Sequence, residues 1–271
     1  MTAKVLSDLP WDEYAAPGWL GSSALSDWLD MGRAAWAEKW LAAGYGSTAP
    51  SKWMIAGSEL DMMLTSAEYD STRIALKPAG MKFSTKEGKA WKEANEGKVI
   101  LDEKVSAELA ATLPMVQEAI AVLVQKYGSE PEYQVTLRGQ IAGLNVQSRP
   151  DIKIGRLFPD LKYVNSDNWT RFVRTFYRSR YWLQAGLNFG LARDAGIDDP
   201  RPSFLIAESG TVNPRVKVWT ISEELCLAAW RDVCARCEEI AGIIDAGGMI
   251  DPVTFETMTA DDLPGWAQKE I

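Results

Sequence analysis

Apolar residues recur at helical spacing from about Ser22 to Leu41, where Leu25, Trp28, Leu29, Trp36 and Trp40 share one side; the turn Gly44-Tyr45-Gly46-Ser47 closes the stretch. A second helix is predicted from about Ser51 to Thr65, burying Trp53, Ala56, Leu60, Met63 and Leu64 along a stripe, with Asp61 beside it. Lys77 to Lys98 is basic and interrupted by glycine, so it reads as loop and short helix. Helices follow at about Glu103 to Leu113 and Met115 to Tyr127, and Pro114 is expected to separate or kink them.

Strict alternation begins at Tyr133-Gln-Val-Thr-Leu137, turns near Gly139 and returns through Ile141 to Ser148. Asp151-Ile-Lys-Ile154 and Asp160-Leu-Lys-Tyr-Val164 read as a further hairpin joined by Gly155 to Pro159. A long helix is predicted from about Asp167 to Arg193, with Trp169, Phe172, Val173, Phe176, Leu183 and Leu187 on its apolar side. Ser203 to Ala207 and Val216 to Thr220 read as strands, and Ser222 as the cap of a helix running to about Ile244. The order of elements predicts an α/β sandwich, a mixed central sheet flanked by helices. The expected division is a helical N-terminal elaboration over 1–50, a core over 51–245 and an irregular tail over 246–271.

Composition narrows the chemistry. The chain has 271 residues, 46% of them hydrophobic, enough for one good core. No run of about 18 apolar residues occurs and the first residues lack a secretory signal, so a cytoplasmic protein with no membrane partner is expected. Cys226, Cys234 and Cys237 all fall in one helical stretch, a poor disulfide framework, and reduced packing thiols are expected. Most of the twelve tryptophans, among them Trp28, Trp36, Trp53, Trp169 and Trp230, fall on apolar stripes and read as core. A net charge of −8 argues against binding a polyanion over the whole surface but leaves room for a local basic channel. The chain has no histidine, which removes Ser-His-Asp and Cys-His catalysis and zinc–histidine sites together. Hydrolysis in such a chain rests on carboxylates, lysine and hard metals.

One constellation has that composition. Arg149-Pro150-Asp151 is followed nine residues later by Asp160-Leu161-Lys162. Two carboxylates on neighbouring strands offer oxygen ligands to Mg²⁺, and strand alternation puts Asp160 and Lys162 on one face. The lysine can orient or deprotonate the attacking water and offset charge on the phosphorane, while the Leu161 carbonyl is available as a neutral ligand. On spacing alone, Asp160 and Lys162 read equally as a surface ion pair. Arg171, Arg174 and Arg178 share a helix face that either follows a phosphate backbone or is merely solvated. The segment with Lys77, Lys82, Lys86, Lys89, Lys92, Phe83 and Trp91 is open to the same two readings.

Together with Tyr181-Trp-Leu-Gln184, these motifs resemble, in order, those of the RecE-type (exodeoxyribonuclease VIII-like) exonucleases of the PD-(D/E)XK superfamily. Weaker similarity extends over Leu25-Ser26, Gly57-Ser-Glu-Leu-Asp61, Thr85 to Trp91 and Leu263-Pro264-Gly-Trp266-Ala267, nearly the whole chain. The resemblance implies a PD-(D/E)XK, restriction-endonuclease-like core and a Mg²⁺-dependent exonuclease, with Mn²⁺ as a substitute metal. That enzyme would resect linear double-stranded DNA, 5′ to 3′, for recombination. Asp151 and Asp160 would bind metal, Lys162 would act on water and Gln184 would support them. Arg149, Arg171, Arg174, Arg178 and Tyr181 would meet DNA.

By the same resemblance, a single-strand annealing protein is the expected partner and a closed ring the expected homo-oligomer. Two positions depart from the pattern: Asp61 stands where the family usually has histidine, and Tyr163-Val164 where it usually has Thr-Thr. Aspartate is a good hard ligand, so Asp61 reads either as a third ligand or as an ordinary helix carboxylate. The departures leave two alternatives, a DNA-end-binding scaffold that has lost hydrolysis and a single-strand-specific nuclease. Some related nucleases hold an iron–sulfur cluster through one early and three late cysteines; the early cysteine is missing here, and no cluster is expected.

Overall fold

The computed structural model describes residues 3–43, 52–66, 69–164, 169–211 and 213–248. In chain order the first elements are β1 (Lys4–Leu6), α1 (Trp11–Tyr14), α2 (Ser22–Asp27), α3 (Arg33–Ala37) with a π-helical continuation (Glu38–Ala43), and α4 (Lys52–Thr65). Then come β2 (Ile74–Lys77), α5 (Lys86–Ala94), β3 (Val99–Asp102), α6 (Glu103–Tyr127), β4 (Pro131–Tyr133), β5 (Thr136–Ile141) and β6 (Leu144–Ser148). The remainder is β7 (Ile152–Ile154), β8 (Leu157–Val164), α7 (Trp169–Arg178), α8 (Tyr181–Asp194), β9 (Arg201–Glu208), β10 (Val216–Thr220) and α9 (Glu223–Asp245).

The fold is mixed α/β. Its main sheet has the strand order β10-β9-β8-β7-β4, with β8 and β9 parallel and the other neighbours antiparallel. Alternation along β8 and β9 sends Leu157, Leu161, Leu205 and Ala207 to one side, into a core with Leu109, Val116 and Ile120 of α6. Phe204 and Ile206 point the other way, into a core with Phe172 and Phe176 of α7 and Ala185 and Phe189 of α8. Burial on both faces is why Phe204-Leu-Ile-Ala207 reads as an unbroken apolar run.

A second, antiparallel sheet, β1-β5-β6, lies against α8, where Leu137, Ile141 and Val146 meet Leu183, Leu187 and Leu191. Leu20, Leu25, Trp36 and Trp40 close that core from the N-terminal segment. Helix α8 is therefore enclosed on nearly every side. Gly186 and Gly190 let α9 reach it: a Cβ on Gly190 would stand 2.1 Å from the Trp230 ring, and one on Gly186 2.7 Å from the Ala229 backbone.

Several boundaries differ from the sequence reading, each for a local reason. The helix expected from Ser22 to Leu41 is broken, because Asp27 accepts from Lys39 Nζ (2.7 Å) and Trp40 Nε1 (3.1 Å) across a turn through Gly32. Pro114 separates nothing: α6 runs through it, its stripe Leu109, Thr112, Val116 and Ile120 being buried on both sides of the proline. The first hairpin turns at Ala142-Gly143, both at positive φ, while Gly139 pairs with Val146 in mid-strand. The helix expected from Asp167 to Arg193 is two helices, parted at Arg180, whose φ is +52°. The basic stretch before α6 is flanked by a parallel pair, β2 with β3. The expected turn over 44–47, the segment Leu263 to Ala267 and nearly all of the expected tail lie outside the described residues.

By length and hydropathy, α6 is a helix that could cross a membrane. Its Leu109, Val116, Ile120 and Leu123 are instead spent on the sheet core, and Glu108 is buried within the same helix. Cys226 packs in the aromatic core beside Phe204 and Cys237 in the core with Trp36, while Cys234 is partly covered. Trp28 and Trp36 are buried, Trp230 is half-buried, and the side chains of Trp53 and Trp169 lie outside the described residues.

Candidate active site

A tight turn at Gly155-Arg156, where Gly155 has φ +58°, joins β7 to β8, so Leu157 to Pro159 belong to the strand rather than to a loop. The two strands pair only at Ile154 and Leu157 and then part. Pro159 has no N–H to give across the gap, and the next N–H on that edge, of Leu161, goes to the side chain of Asp151 (2.6 Å to Oδ2). The splayed edge of the sheet thereby draws Asp151 toward β8.

Asp160 and Lys162 lie on the α8 side of β8. Asp160 is 3% exposed; its Oδ1 accepts from Gln184 Nε2 of α8 (2.5 Å) and its Oδ2 is ion-paired with Lys162. That second oxygen is enclosed and has no hydrogen-bond partner of acceptable geometry. Lys162 Nζ also donates to Gln184 Oε1 (3.1 Å) and sits 4.6 Å from the centre of the Tyr181 ring.

Helix α4 brings Asp61 over the same place. Ala56 and Leu60 anchor the helix in the core with Leu161, and Gly57 passes above Tyr163, where a Cβ would sit 3.7 Å from the tyrosine Cβ. One turn on, Asp61 faces the same way as Gly57. Its Oδ2 accepts from Gln134 Nε2 (2.9 Å), and its Oδ1 is buried without a partner.

Asp61, Gln134, Asp151, Asp160, Lys162 and Gln184 line one cleft of about 940 Å³, together with Trp11, Tyr14, Arg149 and Arg180. Burial, and then the charge of Asp160, push the Asp61 carboxyl up to about 7 against the pull of Gln134 and Lys162. Burial, and then Asp160 and Asp61, hold Asp151 well above the usual carboxylate range. Burial pulls the Lys162 ammonium down, but Asp160, Tyr181 and Asp151 outweigh it and hold it above its ordinary value. Three acids thus repel one another around Lys162. Among the described residues, no three acidic or cysteine side chains are gathered closely enough to form a finished ion cage. The donors nevertheless suit a hard divalent cation: all are oxygens, the acids are in excess, and Asp61 Oδ1 is buried without a hydrogen bond.

The arginines divide. Arg149 lines the cleft, but its Nε donates to Thr136 Oγ1 (2.8 Å) and its Nη2 to the Leu9 carbonyl (2.6 Å), and its guanidinium lies over Tyr14. Arg180 is clamped by Asp30, with Nη2 2.7 Å from Oδ1, and by the Ser26 carbonyl. Arg174 and Arg178 stand exposed on α7, outside the cleft lining, and the Arg171 side chain lies outside the described residues. The basic segment also stays clear of the cleft; there Phe83 and Trp91 stack on each other (6.2 Å) and Lys77 pairs with Asp102.

Sequence reasoning did not single out Gln134, Trp11 or Tyr14. Gln134 sits where the chain leaves the main sheet after β4 to enter β5, at φ +53°, and no periodicity marks such a switch. Trp11 is 59% exposed in a four-residue helix too short to show a stripe. Tyr163 places its hydroxyl 3.4 Å from Glu108 of α6, which also accepts from Gly210 N, so this tyrosine ties strand to helix.

No family model and no curated protein matches the chain. Among solved structures, a candidate exonuclease from Eubacterium rectale superposes with a TM-score of 0.63 at 14% identity, over 96% of this chain and 99% of its own. The two share a fold. Another solved structure overlaps 69% of this chain and 86% of its own, at 10% identity and a TM-score of 0.27, too low to carry an argument.

Proposed function

We propose that the chain is a metal-dependent deoxyribonuclease of the PD-(D/E)XK type. The observation that supports this most is the convergence of Asp61, Asp151, Asp160 and Lys162, from α4, β8 and the residue before β7, on one cleft. The fold shared with a candidate exonuclease is consistent with it. Asp61, Asp151 and Asp160 would hold Mg²⁺ or Mn²⁺, with the Leu161 carbonyl as a neutral donor. The ion would polarise the phosphate and favour ionised water.

The protein's own groups do the rest. Lys162, ion-paired with Asp160 and held by Gln184, would donate to the phosphate oxygens and balance charge there, or orient the attacking water. Gln184 bridges Asp160 and Lys162 and fixes the separation of acid and cation. Tyr181 walls the lysine, and Arg149 orders the N-terminal side of the cleft through Thr136 and Leu9. Resection of linear duplex 5′ to 3′, pairing with a single-strand annealing protein, a ring assembly and DNA contacts along Arg171, Arg174 and Arg178 belong to the same proposal and rest on the sequence resemblance.

The test is digestion of blunt linear duplex, single strand and nicked circle with Mg²⁺, with Mn²⁺ or with EDTA. Metal-dependent loss of the linear duplex, abolished in Asp160→Asn and Lys162→Ala, is the expected result. Digestion of single strands alone would shift the substrate, and intact DNA with retained end binding would make the protein a scaffold.

A further inference from the structure

We propose that Gln134 is a positioning residue of this cleft, whose side-chain amide decides which oxygen Asp61 offers to a bound cation; the assignment rests on the metal-dependent reading above. Each of the three acids has one oxygen taken by an N–H group. Gln184 Nε2 holds Asp160 Oδ1 (2.5 Å), the Leu161 N–H holds Asp151 Oδ2 (2.6 Å) and Gln134 Nε2 holds Asp61 Oδ2 (2.9 Å). For Asp61 the remaining oxygen, Oδ1, is buried with no hydrogen bond, whereas Oδ2 of Asp160 is ion-paired with Lys162. A carboxylate held in this way presents its other oxygen first, and its rotation about the Cβ–Cγ bond is restrained.

Gln134 is built for the task by its backbone. Its own N–H donates to the Asp151 carbonyl (3.0 Å), so one residue spans two of the acids. Its φ of +53° lies in the left-handed region, where a glutamine is uncommon and glycine or asparagine would be easier. A residue kept in that conformation with its side chain on a buried acid is better explained by what the amide does than by the turn. Glutamine also brings no charge of its own to a cleft already crowded with acids.

The experiment is Mn²⁺ binding to the full chain without DNA, read from the loss of the free-ion electron paramagnetic signal, with melting curves in EDTA alongside. Gln134→Leu removes the amide at similar bulk, and Gln134→Gly removes it while relieving the backbone. Both should bind Mn²⁺ about 10- to 100-fold more weakly, the effect typical of losing the partner that orients a ligand. Gln134→Gly should melt higher than Gln134→Leu, since only the glycine relieves the backbone. In an Asp61→Asn background, Gln134→Leu should weaken Mn²⁺ binding no further, because the amide acts through that one carboxylate. Equal affinity in wild type and both variants, or additive losses with Asp61→Asn, would overturn the assignment while leaving the metal reading intact. A wild-type protein that takes up no Mn²⁺ would overturn both.

Discussion

Replacing Asp61 with asparagine should make the metal-free protein more stable at pH 8 and less responsive to metal. The rise of this carboxyl from 3.8 to about 7 corresponds to about 4 kcal/mol against the folded, ionised form at pH 8. Asparagine removes that charge but places a buried N–H₂ where Oδ1 now lacks a partner, a cost of about 1–3 kcal/mol. The net gain expected is about 1–3 kcal/mol, a rise of roughly 2–5 °C in Tm for a chain of this size. Because the folded pKa is the higher one, the wild-type penalty is nearly absent below the unfolded value, grows as pH rises and saturates above about 7. At pH 4.5 it amounts to about 1 kcal/mol, so the advantage of the variant should vanish there. Urea titrations in EDTA at both pH values, followed by tryptophan fluorescence, measure the difference directly. A variant less stable than wild type at pH 8, or a difference that ignores pH, would refute the electrostatic account. In saturating Mg²⁺ the order should invert, since the wild type keeps the carboxylate that the ion neutralises.

Gly190→Ala should lower stability by about 3 kcal/mol in urea melts, because its Cβ would meet the Trp230 ring, whereas Gly242→Ala, facing open space on α9, should gain about 0.5 kcal/mol. Cys226 and Cys237, both pushed up to about 12 by burial, should resist iodoacetamide at pH 8 in the native protein and react once it is unfolded. The same two thiols should make stability fall as pH rises above about 9, where the unfolded thiols ionise and the folded ones do not, a decline visible in melts between pH 8 and 10.5.

What the sequence made legible follows from the range of the interactions involved. Ser222 caps α9 by accepting from Leu225 N, a contact three residues long, and the start of that helix could be read from the residue itself. The strand at Phe204 was equally plain, because burial on both faces leaves a run of apolar residues. Misread boundaries depend on partners far along the chain. Arg180 ends a helix because Asp30, 150 residues earlier, clamps it, and no local signal carries that information. Gly139 looked like a turn but is a gap in a strand that admits Leu191. In the cleft, Asp160 and Lys162 could be paired by alternation alone. The partnership of Asp61 with Gln134 spans 73 residues and needed the fold to reveal it.

The two glycines that admit α9 reach beyond stability. Gln184 stands two residues before Gly186 on the same helix, so the depth to which α8 sinks between α9 and the sheet also sets how far the glutamine reaches toward Asp160. The geometry of the cleft is therefore gauged from the back of the molecule. A small side chain added at Gly186, out of contact with the cleft, would act like a shim: it would press α8 toward the sheet and detune the spacing of Asp160 and Gln184 without altering any side chain that lines the cleft.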